Sequence, residues 1–393
     1  MTITAAIGVD DAEYSVSVES ITFRPVTEDE YPAFARALIE GFSEDVPDDD
    51  FPDLLKATLP PDRTLAAFDG GDIVGTFGGY ALDLSVPGGS LPMEGTTVVT
   101  VFPTHRRRGL MNEMMARHLE TSAANGYAIA GLWASESSIY GRFGYGIASY
   151  ADTITMQGRD IRFREGIDVE GVRRISVEDA HEVLPPVFDR VLPETPGMFA
   201  RSADWWKTQV LHDAEWMKRG KTSKRVVIHH GPDGPDGFAI YRQKSDESDD
   251  GHANGTVHVV EILSETDRAH TALWSFLTNV DGCPNVRSWN QPTDDPLAMK
   301  VVDPRRIKQV TRIDALWILI LDVVAALEAR SYEQDGVISF TVTNSFRPDV
   351  QGGYALSIKN GVGSCTRIEG EADLGIDLDV LGALYLGGAD AHG

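Results

Sequence analysis

Val98-Val99-Thr100-Val101-Phe102-Pro103-Thr104-His105-Arg106-Arg107-Arg108-Gly109-Leu110-Met111 is the stretch on which the fold turns. Its first five residues are β-branched or aromatic and predict a buried central strand. A basic turn follows, and Gly109 opens a helix with apolar residues at Leu110, Met111, Met114, Met115 and Leu119. The first amides of a helix have no internal partner. They point into the turn, where the helix dipole favours an anion by about 0.3–1 kcal/mol. Gly109 lets the backbone come close to a ligand, and three arginines add charge. Strand, arginine-glycine turn and helix together predict a cradle for a diphosphate.

The surroundings fit a mixed α/β unit. Residues 21–26 read as a strand, and Thr27-Glu28-Asp29-Glu30 as a capping box before a helix that carries Phe34, Leu38 and Ile39. Residues 64–68, 72–77 and 80–84 alternate around Gly-rich turns, as antiparallel strands do. Residues 127–133 predict another buried strand. A second stretch repeats part of this order. Thr256-Val257-His258-Val259-Val260-Glu261-Ile262-Leu263 leads into a helix through Leu273 and Phe276, as residues 97–102 lead into Leu110 and Met114. The two halves read as one unit used twice. Their joints differ: Glu265-Thr266-Asp267-Arg268 offers two carboxylates and no glycine, so the second unit is expected to hold no diphosphate. From about residue 301 a small α+β unit follows. Residues 316–321 read there as a strand, and residues 378–384 as helix or strand. The expected division is 1–154, 155–300 and 301–393.

The chain has 393 residues, with 35 Lys+Arg against 60 Asp+Glu, for a formal net charge of -25. That argues against a nucleic-acid partner, whose footprint needs basic charge. It favours solubility and attracts cationic small molecules. Cys283 and Cys365 stand far apart with no Cys or His companions, so neither a disulfide framework nor a metal site is expected. The start, Met1-Thr2-Ile3-Thr4-Ala5-Ala6, lacks the basic and apolar run of a signal peptide. The most apolar run, 315–321, is far short of the ~20 residues that cross a bilayer. The expectation is a cytoplasmic protein with no membrane partner.

Arg106-Arg107-Arg108-Gly109 resembles the Arg/Gln-x-x-Gly-x-Gly/Ala signature of the GNAT superfamily of N-acetyltransferases. Met111 departs from the small last residue of that signature and fits one branch. Residues 103–110, together with Ala134-Ser135-Glu136-Ser137-Ser138-Ile139-Tyr140-Gly141-Arg142-Phe143-Gly144-Tyr145-Gly146, resemble the enhanced intracellular survival (Eis) acetyltransferases. So do residues 325–330 and Leu381-Gly382-Ala383-Leu384-Tyr385-Leu386-Gly387. The resemblance covers nearly the whole chain. It implies tandem GNAT domains of α/β (α+β) class, the second degenerate, followed by a sterol-carrier-protein-like domain. It also implies acetyl-CoA as co-substrate without a metal, and a homohexamer. The activity expected is acetyl transfer to primary amines of polycationic small molecules, aminoglycosides among them, directly within a ternary complex. The alternatives are acetylation of protein lysine or a polyamine, or lipid binding by the C-terminal domain.

Carried over by motif, the resemblance gives Val99, Thr100 and Val101 backbone contact with the pantetheine arm. It gives the diphosphate to Arg106, Arg107, Arg108, Gly109, Leu110, Met111 and Asn112. Ser135 and Glu136 would line the cofactor, and Tyr140 would be the general acid. A phenol ionises near 10 and a free thiol near 8.5, so a phenol can protonate a departing sulfur, for about 10²-fold in rate. The plainer role of Tyr140 is a packed ring beside Phe143 and Tyr145. For the amine, aromatic walls and carboxylates are expected from Tyr31, Phe42, Glu44 and Trp206, with Asp45, Asp48, Asp49 and Asp50 nearby. The family's general base resembles a chain-terminal carboxylate after a further helix and strand. This sequence ends at Gly393, soon after Gly387-Gly388, and no base is assigned to Gly393.

Overall fold

The computed structural model describes residues 21–45, 50–164 and 170–388. The first unit runs β1 (Ile21–Arg24), α1 (Tyr31–Gly41), α2 (Phe51–Lys56), β2 (Thr64–Asp69), β3 (Asp72–Val86), β4 (Gly89–Val101), α3 (Leu110–Ala124), β5 (Ile129–Trp133), α4 (Ser137–Tyr140) and β6 (Gly146–Ile147). β1 to β4 form an antiparallel meander, and α3 is the crossover that makes β5 parallel to β4. α1 buries Tyr31, Phe34, Ala35 and Leu38 on one side of this sheet. α3 buries Leu110, Met114, Met115 and Leu119 on the other. Each such side chain contributes about 1.5–3 kcal/mol by leaving water.

The second unit runs β7 (Tyr150–Gln157), β8 (Val172–Ile175), α5 (Val177–Val191), α6 (Ala203–Trp205), α7 (Glu215–Lys218), β9 (Arg225–Gly231), β10 (Gly234–Lys244), β11 (Thr256–Ser264), α8 (Asp267–Thr278), β12 (Asn285–Gln291), α9 (Leu297–Lys300) and β13 (Lys308–Asp314). Its sheet order is β13-β7-β12-β11-β10-β9-β8. β11, α8 and β12 repeat the parallel crossover of β4, α3 and β5. The internal repeat seen in the sequence is therefore a repeat of structure.

The last elements are β14 (Leu316–Ile320), α10 (Val323–Glu328), β15 (Gly336–Thr343), β16 (Gly352–Lys359), β17 (Val362–Ile368), β18 (Leu374–Asp377) and α11 (Leu378–Leu384). β15 to β18 make a four-stranded sheet in the order β17-β16-β15-β18. The strand read at residues 316–321, and a second at 308–314 within the expected third unit, lie elsewhere. β13 pairs with β7 in the second sheet, and β14 sits between β5 and β6 in the first. All five residues of β14 are buried. A strand apolar on both faces needs cover on both sides, and the interior of the first sheet supplies it. α11 closes over β14 so tightly that a Cβ on Gly382 would stand 2.1 Å from the Ile318 carbonyl oxygen. Among the described residues, no helix is long and apolar enough to cross a membrane.

Candidate active site

β4 and β5 pair only from Met93↔Ile129 to Gly95↔Gly131, and there they part. On its other edge β4 stays paired with β3 as far as Val101↔Gly75. The backbone of residues 96–101 thus keeps one edge bare toward a wedge between the two strands. A bulge opposite Thr76–Gly78 leaves Val98 in the left-handed region, φ 50°, and bends the strand where the wedge opens. Thr100 is spoken for: its Oγ1 is 2.8 Å from that of Thr76. Val99 and Val101 are half-buried against the first core.

The arginine turn is tied to the end of β4. Arg106 Nε donates to the Val101 carbonyl at 3.1 Å, and the His105 amide donates to Phe102 O at 2.8 Å. Arg107 (φ 63°) and Gly109 (φ 83°) are both left-handed and flank Arg108. Such a sequence curls successive amides around a common centre and makes an anion nest. No atom lies within 4 Å of where a Cβ on Gly109 would stand. The dihedral, not crowding, calls for glycine there. Gly109 supplies no side-chain cap, and the first intrahelical acceptor, Gly109 O, is taken by Glu113 N at 3.0 Å. The amides of Leu110, Met111 and Asn112 are left facing the turn. Arg106 and Arg107 are exposed. Arg108 is half-buried, and its buried Nη1 has no hydrogen-bond partner. A buried donor without a partner is costly, and an anionic oxygen would satisfy it. The residues present therefore fit the diphosphate of acetyl-CoA.

The second unit begins its wedge in the same way, with β11 and β12 paired from Thr256↔Asn285 to Val259↔Ser288. Its helix end is different. Thr266 caps α8 by accepting from the Ala269 amide at 3.1 Å. Glu265 pairs with Arg190 at 2.8 Å and Asp267 with Lys300 at 2.9 Å. One of the amides that would meet a diphosphate is already capped, and two carboxylates stand beside the helix end.

Tyr140 ends the short helix after β5. It is buried, with the Ser135 side chain near its hydroxyl, and burial pushes its ionisation above the ordinary phenol value. Ser135 and Glu136 are exposed at the mouth of the wedge. Tyr145, fully buried, is hydrogen-bonded hydroxyl to hydroxyl with Thr96 at 2.8 Å. Thr96 is the first β4 residue past the last β4–β5 pair, so Tyr145 is anchored at the vertex. A buried polar chain continues from there. His118 Nε2 stands 3.5 Å from Thr96 Oγ1 and from Glu94 Oε1, and Glu94 accepts from Arg63 at 2.7 Å. Burial, with Arg63 adding to it, pushes the His118 imidazole down to about 3. Burial raises the Glu94 carboxyl against the pull of Arg63.

The acceptor side needs correction. Tyr31 is core: it is buried with Phe34 and Leu59, and its hydroxyl is given to the Leu59 carbonyl. Trp206 is also core, packed edge-on against Phe188 at 5.5 Å. Neither ring faces a ligand. Phe42 and Glu44 are exposed at the exit of α1, and Glu44 lies 3.6 Å from Arg219 of the second unit. Asp45 and Asp50 are exposed, while Asp48, Asp49 and Gly393 lie outside the described residues. Rings the sequence reading missed line this junction. Trp205 meets Tyr80 at 5.0 Å, and Trp216 meets Phe51 at 6.1 Å. Trp133, at the end of β5, and Trp289 are each 48 % exposed and meet at 6.0 Å. The Trp205-Trp206 pair was the available signal: neighbours on a helix face about 100° apart, so one turns inward and the other out. Among the described residues, no three His, Cys, Asp or Glu side chains could together hold a metal ion.

The chain matches family models for an acetyltransferase (GNAT) domain at residues 22–148 and at residues 197–318. A sterol carrier protein domain model matches residues 323–393. The N-acetyltransferase Eis of Mycobacterium tuberculosis is 32 % identical over 94 % of this chain and 90 % of its own. An uncharacterized N-acetyltransferase of Streptomyces avermitilis is 33 % identical over 93 % of this chain and 89 % of its own. The crystal structure of Eis1 from Mycobacterium abscessus superposes with a TM-score of 0.80 at 28 % identity, covering 94 % of this chain and 90 % of that one. A GCN5-related N-acetyltransferase from Anabaena variabilis shares the fold, with a TM-score of 0.80 at 17 % identity over 93 % and 90 % of the two chains.

Proposed function

The chain belongs to the Eis family of GNAT N-acetyltransferases, and from that premise we propose that it acetylates primary amines of polycationic small molecules, aminoglycosides among them. The observation that carries the proposal is the bare edge of residues 96–101 beside a helix end whose amides and Arg108 lack partners. Acetyl-CoA, when bound, supplies the acetyl group as a thioester. The main chain of Val99–Val101 would hold the pantetheine arm. The turn from Arg106 to Asn112 would hold the diphosphate, and Ser135 and Glu136 would line the mouth. Tyr140, whose phenol burial keeps protonated, would give its proton to the departing sulfur as the amine nitrogen bonds to the acetyl carbon and the carbon–sulfur bond breaks, and the proton shed by that nitrogen would restore the phenol. Both reactants sit in one complex, without a covalent enzyme intermediate. Phe42 and Glu44, with Trp205 and Trp216, offer the aromatic and acidic surface that a cation needs. The net charge of -25 draws cations toward it. We also propose a homohexamer.

Thiol release from acetyl-CoA, followed against aminoglycosides, linear polyamines and lysine peptides, tests this reading. Aminoglycosides are expected to turn over fastest. Turnover of lysine peptides alone would overturn the acceptor assignment. The absence of turnover with every amine, while acetyl-CoA still binds, would overturn the activity. Sedimentation equilibrium tests the hexamer, and a monomer at working concentration contradicts it.

A further inference from the structure

The second sheet is covered unevenly. α8 packs on one face against Val257, Val259, Val286, Ile154 and Met156. α5 covers only part of the other face, over Val226, Ile228, Phe238 and Ile240 of β9 and β10. Beyond that cover, on the side away from α8, one row crosses four strands in register: His258 on β11, Arg287 on β12, Thr155 on β7 and Lys308 on β13. Residues paired across neighbouring strands point to the same face. The turn before β13 brings Arg305 and Arg306 to the same place, and together these residues line a groove of about 650 Å3.

The groove concentrates positive charge on a chain whose net charge is -25. Two carboxylates reach it, Asp160 and Asp303, and both are held by Arg306, at 3.0 and 3.2 Å. Among the described residues, Arg287, Arg305 and Lys308 have no carboxylate partner. Lys221 and Lys244 stand near enough that they join burial and Arg287 in pushing the His258 imidazole below its usual value. Like charges gathered this way repel, and an anion removes the cost. Strands lie about 4.8 Å apart, so Arg287 and Lys308, two strands apart, span roughly 10 Å. A chain of two or three phosphates matches that span with both side chains extended.

We propose that this groove is a binding site for a compact linear oligophosphate, recognised by Arg287, Arg305 and Lys308 across the bare face of the second sheet. It is separate from the arginine turn of the first unit, and it stands whether or not the acceptor assignment above holds. The shared chemistry is the phosphate chain, either free or as part of a nucleotide.

The test is calorimetric titration of the full chain with tripolyphosphate and, separately, with ATP. Each is run on wild type, Arg287→Glu, Lys308→Glu and an Arg107→Ala/Arg108→Ala double variant. Both reversed residues are exposed, and melting curves check that the variants fold. The expected result is saturable binding of tripolyphosphate that each charge reversal weakens about tenfold or more, a loss of at least 1.4 kcal/mol. The double variant in the arginine turn should leave that binding in place. Equal affinity for ATP assigns recognition to the phosphates alone, and tighter ATP binding adds the nucleoside. No saturable binding of either probe at millimolar concentration overturns the proposal. So does binding that ignores both reversals or vanishes in the arginine-turn variant.

Discussion

The ring of Tyr140 stands edge-on to that of Tyr145, with centroids 6.1 Å apart and planes at 76°. The two phenols stand in different surroundings. Tyr145 is fixed to Thr96 at the vertex of the wedge and has no exposed surface. Tyr140 leans on it and meets Ser135 at the mouth. Tyr145→Phe removes one buried hydrogen bond and leaves the Thr96 hydroxyl short of a partner. It should cost about 1–3 kcal/mol in urea unfolding. Its effect on kcat should be far smaller than that of Tyr140→Phe. Equal losses of kcat in the two variants would show that the pair acts as one catalytic unit.

The arginine turn should govern cofactor affinity. Arg107→Ala with Arg108→Ala removes two charge-assisted contacts to a diphosphate. The dissociation constant for acetyl-CoA should rise by about 10²- to 10⁴-fold, at about 1.5–3 kcal/mol for each such bond. Gly109→Ala is a separate probe. Space around it is open, so only the left-handed dihedral opposes the new Cβ, at about 1–2 kcal/mol. Calorimetry on these variants decides the matter, and unchanged affinity in the double variant contradicts the assignment.

Each chain should bind one acetyl-CoA. The wedge of the second unit opens like the first, but Thr266 already caps its helix, and Glu265 and Asp267 flank the place a diphosphate would take. A titrated stoichiometry near two per chain would contradict this.

Acid should weaken the fold through His118. Its imidazole stays neutral in the folded chain down to about pH 3, whereas in the unfolded chain it takes a proton near 6.5. Between those values the unfolded state binds the extra proton. Stability from this group is therefore complete above about pH 6.5 and falls as pH drops, by up to about 1.4 kcal/mol per unit. Glu94, raised by burial, acts with the opposite sign nearer its own range. Comparison with His118→Gln isolates the histidine. Urea unfolding at pH 7 and at pH 5.5 should show wild type losing about 1 kcal/mol more than the variant. Equal losses would rule His118 out as the source.

What the sequence disclosed follows from the range of the signals. The strand and helix around Gly109 were legible because the pattern changes from a β-branched run to a 3.6-residue period at one glycine. β14 was legible as a strand but not as a member of the first sheet. Leu316-Trp317-Ile318-Leu319-Ile320 is buried on both faces, and a continuous apolar run carries no mark of its neighbours. The glycines of two matched motifs proved to serve this placement. Gly146 and Gly382 lie where α11 meets the first sheet, and a Cβ on Gly146 would stand 1.7 Å from the Asp379 carbonyl oxygen. The acceptor side was least legible. Tyr31 and Phe42 both belong to the α1 region, yet one turns into the core and the other stays at the surface. For Tyr31 that choice rests on its contact with Leu59, far away in sequence.

The most direct test of the account is steady-state thiol release by wild type, Tyr140→Phe and Tyr140→Ala, with a melting curve and an acetyl-CoA titration for each. Tyr140→Phe keeps the ring and its packing on Tyr145 and removes only the proton donor. The account predicts a kcat lower by about 10²-fold or more, with melting temperature and acetyl-CoA affinity nearly unchanged, since the loss falls on the transition state alone. If Tyr140→Phe instead keeps the wild-type kcat while chemistry limits the rate, and only Tyr140→Ala is damaged through lost packing, then Tyr140 is a core ring and not the acid.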